Sequence, residues 1–200
     1  MTYRQLLGEL DEWFARGVVD AGHDIVLCRR GCSACCNGPF DISPADAQLV
    51  AAAVEQLDPS VRSHVQLQAI NHTARYFDID PEWAVPWAID DNGEGRFDRV
   101  SDRLASLPCP ALGDDGSCVI YDARPANCRV IGLALITPDG GILDNACPIL
   151  HTSHEYAELN PTLFDLERFE RSADDHDVAA SNDGWVRTTV AGAIARKTRE

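Results

Sequence analysis

Cys28-Arg29-Arg30-Gly31-Cys32-Ser33-Ala34-Cys35-Cys36 places four cysteines within nine residues, spaced C-x3-C-x2-C-C. On a helix turning about 100° per residue, Cys32 falls about 40° from Cys28, Cys35 about −20° and Cys36 about 80°, so all four sulfurs share a face. In a loop, the small residues Gly31, Ser33 and Ala34 let the backbone wrap a metal closely. Either conformation brings the thiols together. Cys109, Cys118, Cys128 and Cys147 follow in sequence punctuated by glycine and proline. They are too widely spaced to meet by local geometry, and the turns between them must gather them. Four thiolates satisfy a tetrahedral zinc, and four also hold a 4Fe–4S cluster. Nothing requires each sequence group to make its own site, and because the adjacent side chains of Cys35 and Cys36 tend to diverge, one of them is open to serving a different metal, or none.

Working outward, the rest of the chain says that these thiols are reduced. The N-terminal segment from Met1 to Leu10 has no basic start, no unbroken apolar run and no small-residue cleavage site, so a secretory signal is not expected. No apolar stretch approaches the roughly 20 residues of a membrane span. A cytoplasmic location is the expectation, where disulfides do not persist. The chain has 200 residues and a formal net charge of −15. Such a surface gives no electrostatic reason to bind nucleic acid or an anionic membrane. The expected partner is a metal ion or cluster.

The hydrophobic pattern predicts a mainly α fold with a small β-hairpin, an α+β class with cysteine loops packed against helices. Leu6, Leu7, Leu10, Trp13, Phe14 and Val18 make one apolar stripe over 3–27, ending near Gly22 or continuing weakly to Leu27. Ser43-Pro44-Ala45-Asp46 starts a helix that runs to about Leu57. Asp58-Pro59-Ser60 starts another, which ends at Asp80-Pro81. Residues 81–108 suggest short helices broken at Asp91-Asn92-Gly93. Cys118 to Tyr121 reads as a short strand, and Val130–Thr137 pairs with Ile142–Asn145 around Pro138-Asp139-Gly140-Gly141. Pro161 is expected to open one helix and Asp183 to cap the last. The run Asp174-Asp175-His176-Asp177 reads as a solvated connector between them. One domain over 1–200 is expected, with a cysteine-cluster core at 25–150 and a helical extension at 151–200.

Beyond the cysteines, Arg124 and Arg129 are the candidates to contact a bound centre from outside its ligand shell, since guanidinium groups offset thiolate charge. Arg29 and Arg30 flank the first cluster in the same way. Tyr121 reads as a packed aromatic. His151 and His154 read as surface or helix-end residues, because eight thiols already exceed the need of one zinc.

Cys28 to Cys36, Cys109-Pro110-Ala111-Leu112, Gly116-Ser117-Cys118-Val119-Ile120-Tyr121-Asp122-Ala123-Arg124-Pro125-Ala126-Asn127-Cys128-Arg129 and Cys147-Pro148 together resemble the YkgJ-type cysteine-cluster family, whose members are described as chelating zinc or iron. The resemblance covers roughly residues 25–150 and matches all eight cysteines. It implies metal ligation by Cys28, Cys32, Cys35, Cys36, Cys109, Cys118, Cys128 and Cys147. The distantly similar flagellin lysine N-methylases imply an iron–sulfur centre used with S-adenosylmethionine. Cys28, Cys32 and Cys35 also reproduce the C-x3-C-x2-C of radical S-adenosylmethionine enzymes, but the repeated βα units of that barrel are missing from the pattern. Three functions follow as expectations. An iron–sulfur centre, 4Fe–4S favoured, serves redox or metal handling. A zinc-stabilised structural or interaction module is the alternative. An S-adenosylmethionine-linked protein N-methylase is the third. Whether the chain is an enzyme stays open at this point.

Overall fold

The computed structural model describes residues 1–89, 95–145, 147 and 153–197. The expected break at Asp91-Asn92-Gly93, and Pro148 and His151, lie outside them. Helices dominate and the strands are short, so the class is α+β as the pattern predicts.

Helix α1 spans Tyr3–Ala21. Thr2 caps it through a reciprocal pair of bonds with Gln5, and Gly22, at φ 99°, ends it. Its stripe of Leu6, Leu7, Leu10, Trp13 and Val18 is buried. Each such side chain contributes roughly 1.5–3 kcal/mol on leaving water. Strand β1 is Asp41–Ile42. Helix α2 is Pro44–Glu55, with Ser43 accepting from the Asp46 amide and Pro44 in the first turn, and α3 is Pro59–Ile79. Helix α4 covers Arg96–Arg103.

Five differences from the sequence reading follow from local competition. Cys118 to Tyr121 does not form a strand. Cys118 makes one bridge to Leu112, and Tyr121–Ala123 then tightens into a 3-10 turn. Val130 ends helix α5 (Ala126–Val130), so the hairpin shrinks to β2 (Leu135–Ile136) and β3 (Ile142–Leu143). After the one-turn helix α6 (His154–Ala157), Pro161 opens no helix. Thr162–Leu163 instead forms β4, parallel to β2, giving the order β3-β2-β4. Asp165, not Pro161, caps α7 (Leu166–Asn182), which absorbs the Asp174–Asp177 run. Asp177 has a reason to be helical there, since its carboxylate accepts from the Ala45 amide at 2.9 Å. Asp183 closes α7, and strand β5 (Thr188–Thr189) precedes α8 (Val190–Lys197).

Two apolar cores result. In the first, α1 packs with Leu133, Leu135, Tyr156, Phe164 and Phe169. In the second, α8 lies between α2 and α3, its alanines 191, 193 and 195 buried against Val50, Val65, Ala69 and Tyr76. Strand β5 pairs antiparallel with β1, with Asp41 opposite Thr189. Cys28 and Cys147 belong to the first core, and Cys109 and Cys118 pack on the second. The cysteine segments thus occupy the seam between them. Among the described residues no helix is long and apolar enough to cross a membrane.

Asp46, only 2% exposed, ties the seam together. It accepts from the Tyr3 hydroxyl at 2.9 Å and from the Ala126 amide at 3.2 Å, joining α1, α2 and α5. Burial raises its carboxyl to about 6 from an ordinary 3.8. A raised carboxyl contributes stability that is complete below the unfolded value and is lost as pH rises through the folded one. Wild-type protein should therefore gain about 1 kcal/mol relative to Asp46→Asn between about pH 7 and about pH 5. Denaturant melts of both chains at the two pH values measure this, and parallel pH profiles would exclude Asp46 as the titrating group.

Candidate metal centre

The first cysteine segment is a loop, not a helix. Two tight turns shape it: the Cys32 amide donates to the Arg29 carbonyl at 2.9 Å, and the Cys36 amide donates to Ser33 at 3.0 Å. Gly31 supplies the left-handed backbone, φ 92°, between Cys28 and Cys32. The loop then pairs with the second group. The Cys109 amide donates to the Cys36 carbonyl at 2.8 Å, the Gly38 amide donates to Leu107 at 2.8 Å, and Asn37 bridges Pro108. A second bridge, Leu112 to Cys118, folds the Gly113–Ser117 turn back so that Cys118 returns beside Cys109. Helix α5 carries Cys128 and packs on α1.

The outcome is a cavity of about 490 Å³ walled by Cys28, Cys32, Cys35, Cys36, Cys109, Cys118 and Cys128. Cys147 is 5% exposed and sits behind Cys28, to whose thiol it is hydrogen-bonded. All eight cysteines are free of disulfides.

A family model described as "CxxCxxCC: Putative zinc- or iron-chelating domain" matches residues 27–148. The chain belongs to this family. The matched span begins one residue before Cys28 and ends one after Cys147, so it contains every cysteine. Searches of curated proteins and of solved structures each returned no match. Family membership supports metal binding by this chain, with zinc and iron both within the family's description.

The donor set suits such a role. Thiolates are soft ligands that select zinc and iron–sulfur centres. Among the described residues, no group of three or more histidine, cysteine, aspartate or glutamate side chains is already arranged to hold a metal ion. Burial pushes Cys28 and Cys109 up to about 12, and raises Cys118 and Cys128 as well. The adjacent thiols do not diverge as expected but touch: Cys36 donates to Cys35, which lowers Cys35 and raises Cys36. A metal cation replaces these protons and removes the repulsion that would accompany bare thiolates.

Arg124 and Arg129 both line the cavity. Asp11 on α1 accepts from both, at 2.9 Å from the Nη2 of Arg124 and in a short bond from Arg129. Arg129 is 5% exposed and also donates to the carbonyls of Arg124 and Asp122. The Nε of Arg124 is buried with no hydrogen-bond partner among the described residues. Its guanidinium lies 4.2 Å from the Tyr121 ring centre, and that of Arg30 lies 4.7 Å from it. Tyr121 is therefore an aromatic platform that joins the two cysteine segments, with Arg30 also paired to Asp122 at 3.4 Å. His154 is exposed at the start of α6, beside Glu158.

Three residues that shape the site were missed in the sequence. Asp11 lies on the polar side of a helix whose apolar stripe took all the attention. Tyr156 accepts from the Cys147 amide and donates to the Gly132 carbonyl, each at 2.9 Å. Gly132 has φ 113°, and a Cβ there would lie 2.7 Å from the Cys28 sulfur. Only glycine lets that turn press against the thiol. A glycine inside the expected Val130–Thr137 strand was the available signal, since it marks a close backbone approach.

Proposed function

We propose that Cys28, Cys32, Cys35, Cys36, Cys109, Cys118, Cys128 and Cys147 ligate iron–sulfur centres of the 4Fe–4S type, used for redox or metal handling in the cytoplasm. The observation that carries this reading is the cavity itself. Seven of the thiols line one cavity of about 490 Å³, which leaves more space than a lone tetrahedral ion needs, given zinc–sulfur bonds of about 2.3 Å. When bound, such a centre supplies reversible electron storage on iron. The protein's own residues set its surroundings. The thiols bind it, and the apolar walls formed by Phe14, Val18 and Ile131 limit water around it. Arg124 and Arg129 offset the negative charge of the thiolates, and the free Nε–H of Arg124 is a hydrogen-bond donor available to sulfur.

Zinc-stabilised structure is the second reading, and ligand arithmetic admits it equally: eight thiols fill two all-thiolate tetrahedral sites. Anaerobic purification from iron-replete cells separates the two. The expected sample is brown, contains matched iron and acid-labile sulfide, and bleaches on reduction. A colourless sample with stoichiometric zinc, unchanged by iron–sulfur reconstitution, would falsify the iron reading.

A further inference from the structure

We infer that Cys32 is the exchange ligand of the centre: the thiol at which a small carboxylate-bearing thiol from solution reaches the bound metal and takes its place. The inference rests on the metal-binding reading above and adds to it the point of access and the chemistry of the incoming ligand.

Access separates Cys32 from the other cysteines. It alone among the eight is exposed; six are half-buried and Cys147 is buried. The loop explains this position. Gly31, at φ 92°, and the turn closed by the Cys32 amide on the Arg29 carbonyl at 2.9 Å set Cys32 where it both lines the cavity and meets solvent. The other segments are covered. Cys28 lies against the Gly132 turn within the core built on α1. Cys36 is followed by the Asn37–Pro108 bridge, and Cys109 and Cys118 pack on the core of α2, α3 and α8. An incoming thiol therefore meets Cys32 first. The substitution balances without an oxidant. The sulfur of the incoming thiol forms a new metal–sulfur bond, the bond from Cys32 breaks, and the proton of the incoming thiol passes to the Cys32 sulfur.

The side chains around Cys32 select what approaches. The chain carries a net charge of −15, yet the cavity lining holds Arg29, Arg124 and Arg129 against Asp11 and Asp122. Arg124 and Arg129 share Asp11, and Arg30, over the Tyr121 ring, pairs with Asp122. Arg29 is exposed, lines the cavity beside Cys32, and makes no ion pair among the described residues. A guanidinium receives a carboxylate through two parallel hydrogen bonds. The mouth thus favours a thiol that carries a carboxylate over one that carries an ammonium, the reverse of what the charge of the whole chain would attract.

Alkylation of the metal-loaded full chain under anaerobic conditions, mapped by mass spectrometry with bound metal measured in the same samples, tests both parts. Under limiting iodoacetamide, Cys32 should be labelled at least about tenfold faster than any other cysteine. Iodoacetate, the carboxylate counterpart of similar size, should gain on iodoacetamide at Cys32 by roughly threefold at low salt, relative to the same pair on the unfolded chain. Arg29→Glu should abolish that gain and leave iodoacetamide labelling unchanged. Release of bound metal by mercaptoacetate should outpace release by cysteamine at equal thiolate concentration, and the gap should close as salt rises. Equal protection of all eight cysteines, or first labelling at another cysteine, would overturn Cys32 as the exchange ligand while metal binding stands. Faster release by cysteamine, or an iodoacetate gain that survives Arg29→Glu, would overturn the carboxylate-bearing thiol. A chain that holds neither zinc nor iron would instead overturn the metal-binding reading itself.

Discussion

Asp11→Ala should cost about 3 kcal/mol of stability and loosen the cysteine site from a distance. Its carboxylate is the shared acceptor for Arg124 and Arg129. Arg129 is buried, and without Asp11 it keeps only the carbonyls of Arg124 and Asp122, at 3.0 and 3.2 Å. Removing one partner of a buried ion pair strands the other charge, at roughly 3–5 kcal/mol. The lower end applies here because Asp11 is itself 43% exposed and water reaches its place. Asp11→Asn retains an acceptor and should cost less. Because Arg129 follows Cys128 directly in α5, metal affinity should fall along with stability. Chemical denaturation and competition with a chelator measure the two effects. A change within about 0.5 kcal/mol, typical of an ordinary surface substitution, would mean that solvent satisfies both arginines.

The elements with strong local signals were legible in the sequence. Ser43-Pro44 starts α2 because serine caps and proline suits a first turn. The apolar stripe of α1 is buried as its spacing implies. The region after Cys118 was not legible, for a physical reason. Tyr121–Ala123 and Ala126–Val130 make tight turns that place Arg124 and Cys128 at the cavity, and this tertiary demand overrides the β propensity of Val119, Ile120 and Val130. Thr162–Leu163 pairs in parallel with a strand more than twenty-five residues earlier, a contact that no local pattern announces. For the site, seven of the cysteines that line the cavity stand out by their spacing and Arg124 and Arg129 by their charge beside them. Asp11 and Tyr156 do not, since each acts across more than a hundred residues or through a backbone amide.

Stripping the metal should raise amide exchange at least about tenfold in residues 28–36 and 109–128 while leaving α3 and α8 unchanged. The argument turns on what holds each region. The α3–α8 core closes on Val65, Ala69, Tyr76, Ala191 and Ile194 and needs no thiol. The cysteine loops have fewer anchors: Ala111, Ile120 and Ala123 are buried, and the amides of Cys32, Cys36, Cys109 and Cys128 are tied by single bonds of 2.8–3.0 Å. Those bonds set the loops near their bound shape, so metal removal should open them without unfolding the protein. Because Cys28 and Cys109 rise to about 12 as free thiols, metal must displace protons to bind. Affinity should therefore strengthen as pH rises, and the exchange difference should widen with it. Hydrogen exchange read by mass spectrometry, with and without chelator, resolves the segments. Equal protection of residues 109–128 in both states would show that their backbone contacts suffice, and metal would then be a passenger in the fold. Loss of protection spreading into α3 and α8 would show the opposite: that the seam, not either core, is the part of the molecule on which folding depends.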